Sequence, residues 1–399
     1  MTCKKLLFVT TASPATNPRL IKSYLYWKSE GHDCSVMAFR MNNWSDALDD
    51  QLIEKHQIEL SAIVAGREDL LAWLRVSLLS KFLSLVPPSF LPVKLLAYAS
   101  NKRSWQLRKR LAAEGKWYDH IQAHNLGALY PAYYWAKKSG STFSFDVEDF
   151  HPEEVISYQA NWERIRRYKL MKTILPHCTS ITAASPLIAR ETKLLLPGDK
   201  QIMVIHNSFF EEEFVEPNRV DSEEPLKLVW FSQKISRGRG LDLILDVHKN
   251  LKSEVSITLI GSLDSAFYQD FLKETAIEII EPLPQEKLHK LLSNFDVGLL
   301  LERQSADYNR NICLTNKQFA YLQSGLYVIA TNTLAHTTFF KDHPNLASII
   351  DQTSESMEKE LKGLIERKKS LRKESKARFE YGKRFSFDKE ISKLKLGDL

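Results

Sequence analysis

An apolar run, LKLVWF, is followed by the loop SQKISRGRG and then by the amphipathic stretch GLDLILDV. A strand, a glycine-bearing basic loop and a helix start in that order can bind an anion. Gly238 and Gly240 let backbone N–H groups approach a phosphate, and the helix start favours negative charge. Lys234 and Arg239 add two full cations to the same loop. On composition alone the loop also reads as a solvated basic turn. In the N-terminal half, Asp146, Glu148 and His151 of DVEDFH form the densest cluster of titratable side chains at a candidate strand end. A carboxylate there could position or deprotonate a hydroxyl. His124 follows a candidate strand in IQAHN and reads either as a group on the ligand edge of a sheet or as a hydrogen-bonded structural histidine. Asp, Glu and His together also suggest a metal, but no second ligand set accompanies them, so no metal is expected.

Further along, the segment from Glu302 to Gly325 offers Glu302, Asn309, Asn316 and Lys317 as candidate polar contacts. Asn316 and Lys317 stand where a helix begins, a place favourable to anions, whereas a strand-end glutamate such as Glu302 often only pairs with a neighbouring base. Gly261-Ser262 after SITLI read as a strand-end turn, and Pro282-Leu283-Pro284 as a proline turn. Asn17 and Arg19 flank Pro18, which suits a helix start, so a helix cap with a surface arginine is their simplest reading.

The elements that must hold these groups are apolar runs alternating with amphipathic stretches. LLFVT, CSVMAF, HIQAHN, TFSFDV, SITAAS and IMVIHN come before FEEEFVEPNRVDSEEP, an acidic, proline-bearing break. LKLVWF, SITLIGS, FDVGLLL and LYVIATN follow it. Continuous apolar strands separated by helices predict parallel βαβ units. The expected division is 1–207, a linker over 208–225, a second domain over 226–380 and a terminal helix in 381–399. The charged tail predicts two helices, the last after Phe385-Ser386-Phe387. At 399 residues, 44% of them hydrophobic, two domains are the default.

Four scattered cysteines form neither a zinc nor a disulfide pattern and suit a reducing cytosol. MTCKKLLFVT reads as a first strand rather than a signal peptide. The net charge of +6 suits an anionic nucleotide or a phospholipid surface better than nucleic acid, because no basic run is interleaved with aromatics. The apolar stretch from Leu70 is too short and too interrupted to span a bilayer. Plotted as a helix it gathers Ser77, Ser80, Lys81 and Ser84 on a narrow polar face, as in a buried core helix or one lying in a membrane interface.

In order along the chain, TNPRLIKSYLYWKSEGHDCSV, YDHIQAHNLGALYPAYYWAKKSGSTFSFDVEDFH, ITAASPLIARE, VIHNSF, LVWFSQKISRGRGLDLIL, ITLIGS, IIEPLPQEKLHKLLSNFDVGLLL, TNKQFAYLQSGLYVIATN and RFSFDKEISKL resemble the GT-B glycosyltransferases, and within them glycosyltransferase family 4. The likeness covers nearly the whole chain. It implies an α/β fold of two Rossmann-like domains facing each other across a cleft. The N-terminal one would bind acceptor, the C-terminal one nucleotide sugar, and the last helix would return to the first domain. It further implies a metal-independent, retaining, hexosyltransferase-like enzyme with no cofactor, using a nucleotide diphospho-sugar as co-substrate. The acceptor would be a glycan or lipid-linked sugar, as in bacterial-type envelope polysaccharide or glycoconjugate biosynthesis. The enzyme would be cytoplasmic, touching the inner face of the membrane through 70–96 and nearby basic residues.

By the same resemblance Lys234 and Arg239 match the basic pair that grips the diphosphate. Asn17, Gly261 and Ser262 approach the donor, and Pro282 and Leu283 meet the nucleobase. Glu302, Asn309, Asn316 and Lys317 are donor contacts, while His124, Asp146 and Glu148 serve the acceptor. The sequence departs from the family at its paired glutamates, whose places hold Ile312 and Ala320. That departure bears on retention of configuration. It keeps open a sugar-nucleotide epimerase of the same fold and a non-catalytic nucleotide-sugar-binding subunit.

Overall fold

A computed structural model describes residues 3–65, 70–154, 160–219, 223–251, 253–303, 307–395 and 397, without the side chains of 70–73. The chain divides into one unit of Met1–Ile205 with Ile391–Leu399 and another of His206–Glu390.

The first unit carries a seven-stranded sheet in the order β3-β2-β1-β4-β5-β6-β7. Its strands are β1 (Lys5–Thr10), β2 (Asp33–Arg40), β3 (Leu60–Val64), β4 (His120–His124), β5 (Thr142–Val147), β6 (Ile181–Ala183) and β7 (Met203–Val204). Every pairing is parallel. The central strands β1, β4 and β5 are almost wholly buried, which explains their continuous apolar runs: helices cover both faces of the sheet.

The second unit carries β8 (Leu226–Ile235), β9 (Val255–Leu263), β10 (Glu278–Ile280), β11 (Val297–Leu300), β12 (Tyr327–Thr331) and β13 (Ala347–Ile350). They run in the order β10-β9-β8-β11-β12-β13, again all parallel. One face packs Leu228, Trp230, Leu259 and Leu299 against the helices Asp242–Leu251 and Ser354–Glu366, through Ile244, Val247, Met357 and Leu361. Among the described residues the tail folds into four α-helices rather than two, Ser354–Glu366, Lys368–Lys373, Ser375–Gly382 and Phe387–Ile391, with a 3₁₀ turn at Lys383–Phe385 before the last.

The first strand of each unit lies inside its sheet, and the chain winds outward from it in both directions. Connections after β1 and β4, and after β8 and β11, therefore leave toward opposite sides, opening a crevice at the carboxyl ends of each pair. Ligands of open α/β sheets bind at such switch points. His124 ends β4; β8 runs on through Ser232–Ile235, so Lys234 is a strand residue rather than the loop residue expected, and Arg239 and Glu302 follow β8 and β11.

Candidate active site

In the second unit, β8 is irregular between Phe231 and Lys234, after which Lys234 pairs with Ser262 and Ile235 with Leu263. Gly261 and Ser262 thus lie within β9, not in the strand-end turn expected of them. Gly261 has φ 152°, and a Cβ there would strike the carbonyl oxygen of Ser232, so the bulge requires glycine. This irregularity sets Lys234 beside Ser262. Lys234 is 56% exposed, with its Nζ 2.9 Å from the Asp264 carboxylate. The third cation of the loop, Arg237, is engaged by Asp270 at 2.6 Å. Arg239 is half-buried and has no hydrogen-bond or ion-pair partner among the described residues. At Gly240 the chain passes so close to β11 that a Cβ would lie 2.7 Å from the Leu301 carbonyl oxygen. Arg303 also donates to Asp242, at the start of the next helix. These contacts hold Arg239 beside the end of β11.

At that end, Glu302 meets Lys317 at 2.9 Å, both side chains about nine-tenths buried, and the ammonium lies 5.3 Å from the centre of the Trp230 ring. Burial alone would raise the Glu302 carboxyl. The charge and hydrogen bond of Lys317 outweigh it and hold the group below the usual glutamate value. Thr331 bridges the same strands: its hydroxyl accepts from the Glu302 backbone N–H at 3.0 Å and donates to the Glu302 carbonyl at 2.6 Å. The Thr331 carbonyl accepts from His336 Nδ1 at 2.8 Å. That bond fixes the proton on Nδ1 and leaves Nε2 an acceptor. Nε2 is buried and unpartnered among the described residues, and burial pushes the imidazole down to about 4.

The helix Asn316–Gln323 opens here. Its N-cap, Thr315, makes no capping bond, and the Thr315 hydroxyl and both amide atoms of Gln318 are buried without partners among the described residues. An uncapped helix start, an ammonium and a bare imidazole acceptor suit an anion that also carries hydroxyls. His336 carried no signal in the sequence, where TLAHTTFF reads as an ordinary helix. The remaining expected residues are more dispersed. Asn316 is exposed on the first turn, Asn309 is buried in Tyr308–Ile312, and Pro282 and Leu283 follow β10 at the far edge of the sheet.

In the first unit, β4 and β5 pair His124 with Asp146. Arg19 reaches the same place from the helix Pro18–Ser29 and grips both Asp146 oxygens, Nε to Oδ2 at 2.5 Å and Nη2 to Oδ1 at 2.9 Å. Each side chain of this pair is 2% exposed, so the reading of Arg19 as a surface residue is overturned. Thr182 donates to Asp146 at 2.5 Å, and His124 Nδ1 lies 3.3 Å from Asp146 and 2.9 Å from Glu148. Burial raises the Asp146 carboxyl, but the Arg19 charge and the donated bonds reverse this and keep it ionised. For His124 burial favours the neutral form; the bonds to Asp146 and Glu148 outweigh it and raise the imidazole above its ordinary value.

Its Nε2 is buried with no partner among the described residues. Asp146 is committed to Arg19, which leaves Glu148, partly exposed, as the carboxylate able to meet a hydroxyl. Asn17 instead caps its helix, accepting from the Leu20 N–H at 3.2 Å and donating to Thr10 at 3.2 Å, so the cap reading describes its contacts. His151 leaves the cluster to pair with Glu154 at 3.0 Å.

His124, Asp146 and Glu148 bring their ligand-type atoms within 4.8 Å of one another, a spacing compatible with a metal. The chemistry of the set does not fit one. Asp146 is saturated by a guanidinium and a hydroxyl, and the nitrogen of His124 that faces the carboxylates carries the proton. The raised His124 value has a testable sign. Imidazolium contributes stability fully below the unfolded value, near 6.5, and that contribution is lost as pH rises through the folded value. A histidine NMR titration should place His124 above 6.5, and Glu148→Gln should lower it; a value at or below 6.5 in the unaltered protein would remove the imidazolium from the site.

No protein-family model matches the sequence, and no curated protein does. Solved structures do match over nearly the full length. HepE of Anabaena in complex with UDP-glucose shares 13% identity over 98% of each chain, with a TM-score of 0.63. Sucrose-phosphate synthase from Thermosynechococcus elongatus shares 13% identity over 98% of this chain and 97% of its own, with a TM-score of 0.68. The chain has the GT-B fold. A UDP-N-acetylglucosamine 2-epimerase is also similar, at 11% identity over 94% of this chain and 91% of its own, with a TM-score of 0.57. Within the GT-B framework, the six-stranded unit carries the loop cations and the Glu302–Lys317 pair, and the seven-stranded unit carries the Arg19–Asp146–His124–Glu148 cluster.

Proposed function

We propose that this chain is a nucleotide-sugar-dependent glycosyltransferase whose second unit binds the donor and whose first unit serves the acceptor. The observation that carries this is the gathering of Lys234, Arg239, Lys317 and an uncapped helix start at the carboxyl ends of β8 and β11, the switch point of the six-stranded sheet. The complexes of HepE with UDP and with UDP-glucose support a nucleoside diphosphate as the anion.

When the bond from the anomeric carbon to the phosphate oxygen breaks, the leaving diphosphate gains negative charge. Lys234, released from Asp264, and Arg239, which has no partner among the described residues, would stabilise it. Lys317, His336 and the helix start would hold the donor's phosphates and hydroxyls. Glu148, oriented by His124, would accept the proton of the acceptor hydroxyl as that oxygen bonds to the sugar. The organic cations take the place of a metal. The acceptor is a glycan or lipid-linked sugar, as in envelope polysaccharide assembly.

Purified protein mixed with a panel of nucleotide sugars and an acceptor extract should release nucleotide from one of them. Failure to bind or turn over any donor would defeat the proposal. The epimerase structure supports a second reading, distinguished by the same panel without acceptor: an epimerised sugar nucleotide would then form.

A further inference from the structure

At the amino ends of β11 and β12, the edge of the six-stranded sheet opposite Glu302 and Thr331, three buried or half-buried arginines meet one buried carboxylate. That carboxylate, Asp296, is already spent. Arg372 donates to it from Nε at 3.2 Å and from Nη2 at 3.0 Å, and the Lys227 backbone N–H donates to Oδ2 at 2.9 Å. Arg219 and Arg378 converge instead on one carbonyl. Arg219 Nη1 donates to the Gly325 oxygen at 3.1 Å and Arg378 Nε to the same oxygen at 3.2 Å, while their Nη2 groups reach the carbonyls of Ser324 and Leu371. Arg219 Nε and Arg378 Nη1 are buried and make no hydrogen bond among the described residues. The Glu374 carboxylate stands 3.6 Å from Arg378 Nη1, out in water at 61% exposed. Lysines hold the other acids of this edge: Lys376 holds Glu216, Lys369 holds Glu223 and Lys227 holds Glu224.

Carbonyl dipoles solvate a guanidinium without cancelling its charge. Three guanidiniums against one carboxylate leave two positive charges in a desolvated place, and buried charge persists where it is paired. Burial pushes Arg219 down to about 9 and Arg378 to about 10, and neighbouring arginines lower both further. We propose that Arg219 and Arg378 bind a phosphate, free or as a monoester, through their unpartnered N–H groups. A phosphate dianion matches the surplus in charge, and its oxygens match guanidinium forks. Arg367, exposed, lies 5.0 Å from the centre of the Tyr327 ring that Arg378 approaches at 5.9 Å, and adds a cation on the solvent side. The site is distinct from the crevice at the carboxyl ends: β12 runs from Tyr327 to Thr331, which sets the two edges about 13 Å apart. The inference stands whether or not the chain transfers a sugar.

The test is thermal unfolding of the full chain in inorganic phosphate, in glycerol 3-phosphate and in chloride, all at one ionic strength. Phosphate should raise the melting temperature with the logarithm of its concentration, as a ligand of the folded state does, and chloride should not. A larger rise with glycerol 3-phosphate would name a monoester as the occupant, and a larger rise with inorganic phosphate the free ion. Arg219→Gln should weaken phosphate binding roughly ten- to a hundredfold, the loss of one charged donor. Arg239→Ala, at the other edge of the sheet, should leave the response intact, which separates this site from the donor site. A crystal of the parent soaked in phosphate needs no variant: the ion should lie within hydrogen-bonding distance of Arg219 Nε and Arg378 Nη1. A melting temperature indifferent to phosphate, or raised equally by chloride, would overturn the proposal, as would a response that Arg239→Ala abolishes and Arg219→Gln keeps. Asp221, outside the described residues, is the chain's own rival for these charges. An Asp221→Asn protein that responds to phosphate where the parent does not would give the charge to Asp221 and overturn the proposal as well.

Discussion

Arg239→Ala is expected to lower the turnover number for nucleotide release by about 10²–10³-fold, the usual effect of removing one preorganised donor from a developing anion. The reason is specific to Arg239. Arg237 is tied to Asp270 and Lys234 to Asp264, whereas Arg239 has no partner among the described residues. It is a charge held in place by the close approach of Gly240 to Leu301, with no competing carboxylate among the described residues. Lys234→Ala should cost less, because Lys234 must first break its bond to Asp264. Steady-state kinetics over a donor series checks both. Arg239→Ala at parental turnover would detach the basic loop from the chemistry.

The second large effect concerns stability. Asp146→Asn removes the charge that compensates Arg19, and leaving one member of a buried pair uncompensated typically costs about 3–5 kcal/mol. The Arg19→Met/Asp146→Leu double variant should recover part of that loss, since a buried pair replaced by apolar residues is often neutral. Urea unfolding of the three proteins measures it. An Asp146→Asn protein as stable as the parent would mean that Asp146 does not compensate Arg19. The acid limb follows from the same pair. A carboxyl depressed by folding contributes stability above its unfolded value, near 3.8, and this is lost as pH falls through the folded value.

Central strands were legible because strands buried on both faces are continuous apolar runs; TFSFDV is β5 residue for residue. No such run marks β3, which is partly exposed, or β10 and β13, which are short edge elements. The helix beginning at Asn316 could be read from local chemistry, as could the loop that holds Arg239, but Lys234, expected in that loop, belongs to β8. Arg19 could not, because its partner is 127 residues away and nothing near TNPRL distinguishes a buried arginine from a surface one. Gly261 shows the same limit: a glycine after an apolar run is a turn signal in sequence, whereas here it serves a bulge set by the neighbouring strand. The orientation of the helix Leu70–Ser84 was hidden for a related reason. Its serines find partners at Ala99 and Lys102, which the helix alone does not reveal.

A crystal structure of the full chain soaked with a nucleoside diphosphate shows where the leaving group is held. The diphosphate should lie at the carboxyl ends of β8 and β11, with Arg239 within hydrogen-bonding distance and Lys234 turned from Asp264 toward it. A diphosphate bound elsewhere, with Lys234 still on Asp264 and Arg239 in solvent, would contradict the account.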